Sequence, residues 1–210
     1  MAEEFKYDNL LAGCGPCGSD TGTLLSGENR KRGAVLGKIT RALGATTPGG
    51  GNTGNGDVTG EALKKSTQVG NYLLTCTAAA ANGGTFSVVA PDGTRLADAS
   101  VGVAYANDHL AFTIADGATD YAVGDTFTIA VAAGSGKLKI VDSDNVDGSN
   151  APYAILAADT DASAADKVCP LYKCGEFNSN VLTFGAGDTA ATHKEALRDL
   201  GILLRDSVKA

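Results

Sequence analysis

Short apolar–polar alternations separated by turn chemistry run through most of this 210-residue chain. Residues 137–141 alternate, 153–158 form a short apolar run, 168–172 and 175–177 alternate again, and 181–184 follow. Val146-Asp147-Gly148 supplies a turn between the first two. Strands this short and this closely spaced predict a compact antiparallel, barrel-like β body rather than a doubly wound sheet. Upstream, residues 32–40 read as a strand with Gly33 and Gly37 at turn or bulge positions. Residues 71–77, 85–90, 110–114 and 126–131 are rich in β-branched and aromatic side chains. Asn82-Gly83-Gly84, Pro91-Asp92-Gly93, Asp116-Gly117 and Val123-Gly124-Asp125 mark turns between them. Helical period occurs once, at the end. Leu197, Leu200, Leu203, Leu204 and Val208 share one face, opposite Arg198, Asp199 and Asp206, and Thr192 with Glu195 predicts a capping box that opens this helix.

Two stretches predict no regular structure of their own. Residues 47–60, TPGGGNTGNGDVTG, read as a flexible loop. Residues 1–32 hold scattered glycines, Pro16 and few large apolar side chains, too little burial to offset their ordering entropy. They read as a tail, or as an arm that orders by adding a strand to a partner's sheet.

Charge narrows the partners. The net charge of −7 argues against non-specific nucleic-acid binding, which needs a basic surface; Arg30-Lys31-Arg32 is a local exception. From Gly70 to Ser135 six acids face one base, Arg95, so this stretch reads as an acidic, self-contained β module. No apolar run approaches the roughly 18 residues that span a bilayer. The N-terminus lacks a signal-peptide layout, so a cytosolically made protein is expected.

The candidate chemistry is thin. Cys14-Gly15-Pro16-Cys17 matches a thioredoxin active-site tetrapeptide. That chemistry needs a thiolate at a helix N-terminus, yet only 13 residues precede Cys14 and Gly18-Ser19-Asp20-Thr21-Gly22 would not start a helix. Cys14, Cys17, Cys169 and Cys174 are the candidates for a four-thiolate zinc site or for a disulfide; an odd total of five cysteines counts against a closed disulfide framework. Asp142, Asp144 and Asp147-Gly148 approach a calcium loop, but Val146 and Tyr153 stand where ligands are needed. Gly134-Ser135-Gly136-Lys137 lacks the rest of a phosphate loop, and His109 and His193 have no motif around them. The expectation is no metal, no cofactor and no catalysis: a structural or binding protein.

Several segments resemble the head-decoration proteins of tailed bacteriophages, the family of the phage lambda capsid-stabilising protein. They are Lys31-Arg32-Gly33-Ala34-Val35-Leu36-Gly37-Lys38, Lys137-Leu138-Lys139, Val146-Asp147-Gly148 and Pro152-Tyr153-Ala154-Ile155-Leu156-Ala157. Lys173-Cys174-Gly175-Glu176-Phe177-Asn178 and Glu195-Ala196-Leu197-Arg198-Asp199-Leu200-Gly201-Ile202 complete the series. The resemblance implies a mainly β protein: a β-clip-like decoration body with one C-terminal helix, plus an inserted small antiparallel β-sandwich or barrel-like domain. The expected division is a capsid-binding arm at 1–32, a discontinuous body at 33–45 and 136–210, and a linker with the acidic insert at 46–135. The implied function is capsid decoration: a homotrimer on the outer surface of the expanded head, at three-fold positions, stabilising the shell in the virion. The major capsid protein and the protein itself are the expected partners, without nucleic acid or membrane, and host-surface contact through the insert is left open. Tyr7, Leu10, Leu11, Arg30, Lys31 and Arg32 are the expected arm residues. The alternatives are a bacterial surface or adhesin-like β module and, more remotely, a thiol–disulfide oxidoreductase through Cys14 and Cys17.

Overall fold

The structure, a computed structural model, describes residues 9–13 and 18–206. Its first strands are β1 (Gly18–Leu24), β2 (Asn29–Arg30), β3 (Val35–Lys38) and β4 (Arg41–Pro48). Then come β5 (Val58–Leu63), β6 (Gly70–Ala80), β7 (Gly83–Val89), β8 (Ala99–Ser100), β9 (Ala104–Ala106), β10 (Leu110–Ile114) and β11 (Thr126–Ala133). The chain ends with β12 (Leu138–Ile140), β13 (Pro152–Leu156), β14 (Thr160–Asp161), β15 (Lys167–Asn178), helix α1 (Ala190–Asp199) and β16 (Ile202–Arg205). Two compact units result: one from residues up to Thr40 together with Gly136 onward, the other from Arg41–Ser135.

In the discontinuous body, β1, β12, β3, β13 and β15 pair in that order, and β1 pairs again with β15, which closes the ring. β16 adds to the far half of β15 in parallel. The apolar runs in these strands are explained by burial on both faces, since successive side chains point opposite ways. Leu36, Leu156 and Leu171 join one core with Leu24 and Leu138. Their neighbours Val35 and Ile155 point the other way, into a second core with Phe177, Leu182, Leu197 and Ile202. Helix α1 covers that second core with Leu197 and the buried His193.

Two expectations about this body need correction. Residues 18–24 are not part of a free arm: β1 runs antiparallel to β15 from Gly18↔Cys174 to Leu24↔Lys167, and Leu24 is fully buried. The sequence looked too poor to order alone, and it does not order alone; β15 supplies its hydrogen bonds. The C-terminal helix is also shorter than its apolar period implied. It is capped by Thr189 with Thr192 in a reciprocal box rather than by Thr192 with Glu195. It stops at Gly201, whose φ of +77° is the left-handed conformation that favours glycine, while its N–H bonds back to the Arg198 carbonyl at 2.9 Å. Leu203 and Leu204 therefore lie on β16, and Val208 lies outside the described residues.

The insert is a two-layer sandwich. A five-stranded sheet, β4-β11-β6-β7-β8, faces a three-stranded one, β5-β10-β9. Tyr72, Leu74, Phe86, Phe127 and Ile129 meet Val58, Phe112, Ile114 and Tyr121 in a single core. Phe86 and Tyr121 pack edge to face at 5.1 Å, a favoured aromatic arrangement.

The glycine-rich stretch is held, not flexible. β4 continues to Pro48, and Asn52 both donates to the Thr126 carbonyl and accepts from its N–H, each at 2.8 Å. The Asp125 carboxylate accepts from the N–H groups of Thr53 (2.9 Å), Gly54 (2.8 Å) and Ala122 (3.0 Å). Burial raises its pKa, but those donors outweigh it and leave the carboxyl below its ordinary value. Gly54 must be glycine because a Cβ there would lie 2.3 Å from the Tyr121 ring.

Candidate functional site

The residues expected to contact a partner divide into a short N-terminal run and a basic turn. The run from Asn9 lies along the far half of β15. Asn178 donates its backbone N–H to the Leu10 carbonyl at 2.9 Å and its side-chain amide to the Asn9 carbonyl at 3.1 Å. Ala12 donates to the Glu176 carbonyl at 3.1 Å, and Leu11 bridges Phe177 in antiparallel register. The strand addition expected on a partner's sheet is here made within the chain's own body. Leu10 is 2% exposed, in the same core as Phe177 and Leu197, so its side chain is not offered to a partner. Leu11 is partly buried against that core. Tyr7 lies outside the described residues.

Arg30 ends β2, Lys31 and Arg32 follow in the connection to β3, and all three have partners within the body. Arg30 pairs with Glu28 at 2.5 Å. Lys31, on the surface, pairs with Asp159 at 2.8 Å; this bond raises the lysine pKa and lowers that of the aspartate. Arg32 donates through Nε to the Ala157 carbonyl at 3.1 Å, and its guanidinium lies 6.0 Å from the Tyr172 ring centre. Proximity to a second acidic surface would have to compete with these contacts. Lys31, whose side chain is 79% exposed, is the most accessible of the three.

One buried cluster was not visible in the sequence. Asp188 accepts from the Ser143 N–H (2.6 Å) and hydroxyl (2.7 Å), and lies 2.8 Å from His193 Nε2. Phe184 stacks on the imidazole at 5.5 Å. These are serine, histidine and aspartate, but the carboxylate stands in the middle and the serine hydroxyl is hydrogen-bonded to it rather than to the imidazole. Nucleophilic catalysis needs the base on the nucleophile. With both ionisable side chains only 5% exposed, the cluster ties α1 to the turn after β12. Burial raises the Asp188 pKa, while its bonds to Ser143 and His193 more than reverse this and leave it lowered. No motif spacing could have shown it, because Ser143 is 45 residues from its partner.

Among the described residues no group of histidine, cysteine, aspartate or glutamate side chains is arranged to hold a metal ion. Cys169 is free and fully buried in the first core of the body. Cys174 is disulfide-bonded, so its sulfur is no free thiolate, and Cys14 and Cys17 lie outside the described residues. Asp147 is engaged by Ser149 and, at 2.9 Å, by Lys139. A cavity of about 340 Å³ at the start of α1 is lined by Ser179, Asn180, Thr189, Lys194 and Asp206. Ser179 there already donates to Asp206 at 2.5 Å.

The described residues thus form a mainly β protein whose polar clusters at Lys31 and Asp188 are engaged in internal ties. The family model of the bacteriophage lambda head decoration protein D matches residues 7–204, and the chain belongs to that family, which is one of structural phage proteins. Membership implies a role in capsid decoration and a place on the virion capsid. No curated protein matches the chain. Two crystal structures of FlgL from Xanthomonas campestris, in space groups H3 and C2, are similar over 51% of this chain, at 18% and 20% identity. The match spans only 33% and 32% of those chains, with TM-scores of 0.32 and 0.33, a likeness too slight to bear on fold or function.

Proposed function

We propose that the protein is a cement for the phage head: it trimerises, docks on the outer surface of the expanded shell at three-fold positions, and stabilises it by binding the major capsid protein. The observation that carries this reading is the family match over residues 7–204, which includes both sequence-distant parts of the β1–β16 body. Three copies of one contact on a three-fold site turn modest single affinity into avidity. A protein that binds only the mature lattice stabilises that lattice by mass action. The capsid contact is assigned to the segment before Asn9, which includes Tyr7, with Lys31 beside it in function rather than Leu10. The acidic loops of the insert stay solvated and take no part in the capsid contact.

The test is co-sedimentation with expanded empty capsids, using a variant lacking residues 2–8. A deletion reaching residue 27 would remove β1 from the ring and confound folding with binding. The shorter deletion should leave a trimer in sedimentation velocity while reducing capsid binding at least about tenfold, the loss expected when each of three linked contacts weakens. Unchanged binding rejects the arm assignment. A wild-type protein that neither trimerises nor pellets with capsids rejects the cement reading.

A further inference from the structure

The outward face of the insert's five-stranded sheet differs from the rest of the molecule. β6, β7 and β11 contain no charged residue at all, and β4 contains only Arg41. Arg41 pairs in register with Ala133 and donates to the carbonyls of Thr67 and Lys65 within the insert. Yet the insert has eight acids against four bases. Register and burial define the face. Val89, Leu73, Thr128 and Thr47 stand opposite one another across β7, β6, β11 and β4. Ser87 and Thr75 form the next row, and Leu73, at the centre, is 44% exposed. The inward neighbours Tyr72, Leu74, Phe86, Val88, Phe127 and Ile129 are all buried.

A solvated sheet face ordinarily alternates apolar-in with polar or charged-out. A charge-free outward face with an exposed leucine at its centre resembles the core of an interface, where charged residues are depleted. Its chemistry also selects the occupant. A nucleic acid or anionic membrane would need lysines and arginines, and stacking ligands would need aromatic side chains; none of the outward positions supplies either. A basic protein would be drawn to the acidic loops instead. The partner for which a neutral contact matters most is one with the same negative charge, because like charges placed face to face are costly.

We infer that this face is a homotypic contact, in which the inserts of two copies of the chain pack five-stranded sheet against five-stranded sheet about a two-fold axis through the neighbourhood of Leu73. The four long strands, seven to eleven residues each and about 4.8 Å apart with about 3.3 Å per residue, offer roughly 550 Å² per copy. A pair thus buries about 1,100 Å², just above the ~1,000 Å² at which a specific contact is expected. Such a contact is weak in dilute solution and becomes effective where copies are held side by side. The inference concerns the insert alone and holds whether or not the body trimerises.

Charge reversal across the axis tests it. Leu73→Glu and Leu73→Lys are made in the full chain and followed by sedimentation velocity over a concentration series, with circular dichroism as the check on folding. Each variant alone should self-associate at least about tenfold more weakly than wild type, and an equimolar mixture should recover most of that loss, because opposite charges then meet across the axis. The same pattern is expected at Thr128, the neighbour of Leu73 on β11, if either Leu73 variant fails to fold. Self-association unchanged by the substitutions, or a mixture no better than its components, overturns the inference. So does loss of capsid co-sedimentation with self-association intact, since the face would then belong to the capsid contact. A wild type that neither trimerises nor pellets with capsids, yet shows the Leu73 pattern, rejects the cement reading and supports this inference.

Discussion

The body and the insert are both β, but they bury their strands differently. In the body, neighbouring residues such as Val35 and Leu36, or Ile155 and Leu156, enter two different cores, so β3 and β13 are apolar on both faces. In the insert, β6 and β11 bury every second residue in one core and leave the alternate residues outside. The body therefore needs a covering element on its second face, which α1 supplies with His193 and Leu197. The insert needs only its two sheets. A module with one core and ends that meet, Arg41 opposite Ala133, can sit in a connection of another fold at little entropic cost. That difference explains how the long acidic segment coexists with a closed ring built from both of its flanks.

The largest test of this contrast is a cavity in the insert core. Phe86→Ala should cost about 3–5 kcal/mol, the usual range for removing a buried aromatic side chain. In calorimetry it should lower a transition belonging to the insert and leave the body's transition in place. A single transition shifted as a whole would show that the two cores unfold together.

A smaller effect is expected at Asp125. Replacing this carboxylate with asparagine removes one of two acceptor oxygens from a loop held by three backbone donors, a loss of about 1–3 kcal/mol. The carboxyl is lowered in the folded insert, so its stabilisation is present above the unfolded value of about 3.9 and is lost as pH falls through the folded value. Asp188 follows the same sign in the body. Acid unfolding below about pH 4 should therefore be shallower for the insert of Asp125→Asn, with the body unchanged. An identical acid limb in the variant would remove Asp125 as its source.

The smallest effect belongs to the surface pair. Lys31→Ala removes an ion pair with Asp159 that lies in solvent, and exposed pairs add little to stability. Chemical denaturation should show no shift. Any change in capsid co-sedimentation by this variant then reports on docking and not on folding.

Much of the fold was legible because strand period and turn chemistry are local. The alternation of 126–131, and the Asp-Gly and Asn-Gly-Gly signals around the insert strands, mark elements that the structure contains as β11 and its neighbours. The glycine-rich run reads as flexible in sequence because Asp125, which holds it, is some seventy residues away. The polar stretch 18–24 looked unable to order for the same reason: its partner, β15, begins only at Lys167.

The candidate site divides along the same line. The basic turn at Arg30, Lys31 and Arg32 could be picked out by residue type, but its ties to Glu28, Asp159 and Tyr172 could not. Leu10 reads as an accessible apolar residue in a polar tail and proves to be core, because burial is a property of what arrives from elsewhere in the chain. Amino-acid order alone determined where most strands and turns fall and how charge is distributed, since each depends on neighbours within a few residues. Tertiary structure decided which strands close the ring, where the last helix stops in favour of β16, and which charges are already paired. Those outcomes rest on contacts between distant segments, whose energies no local pattern contains.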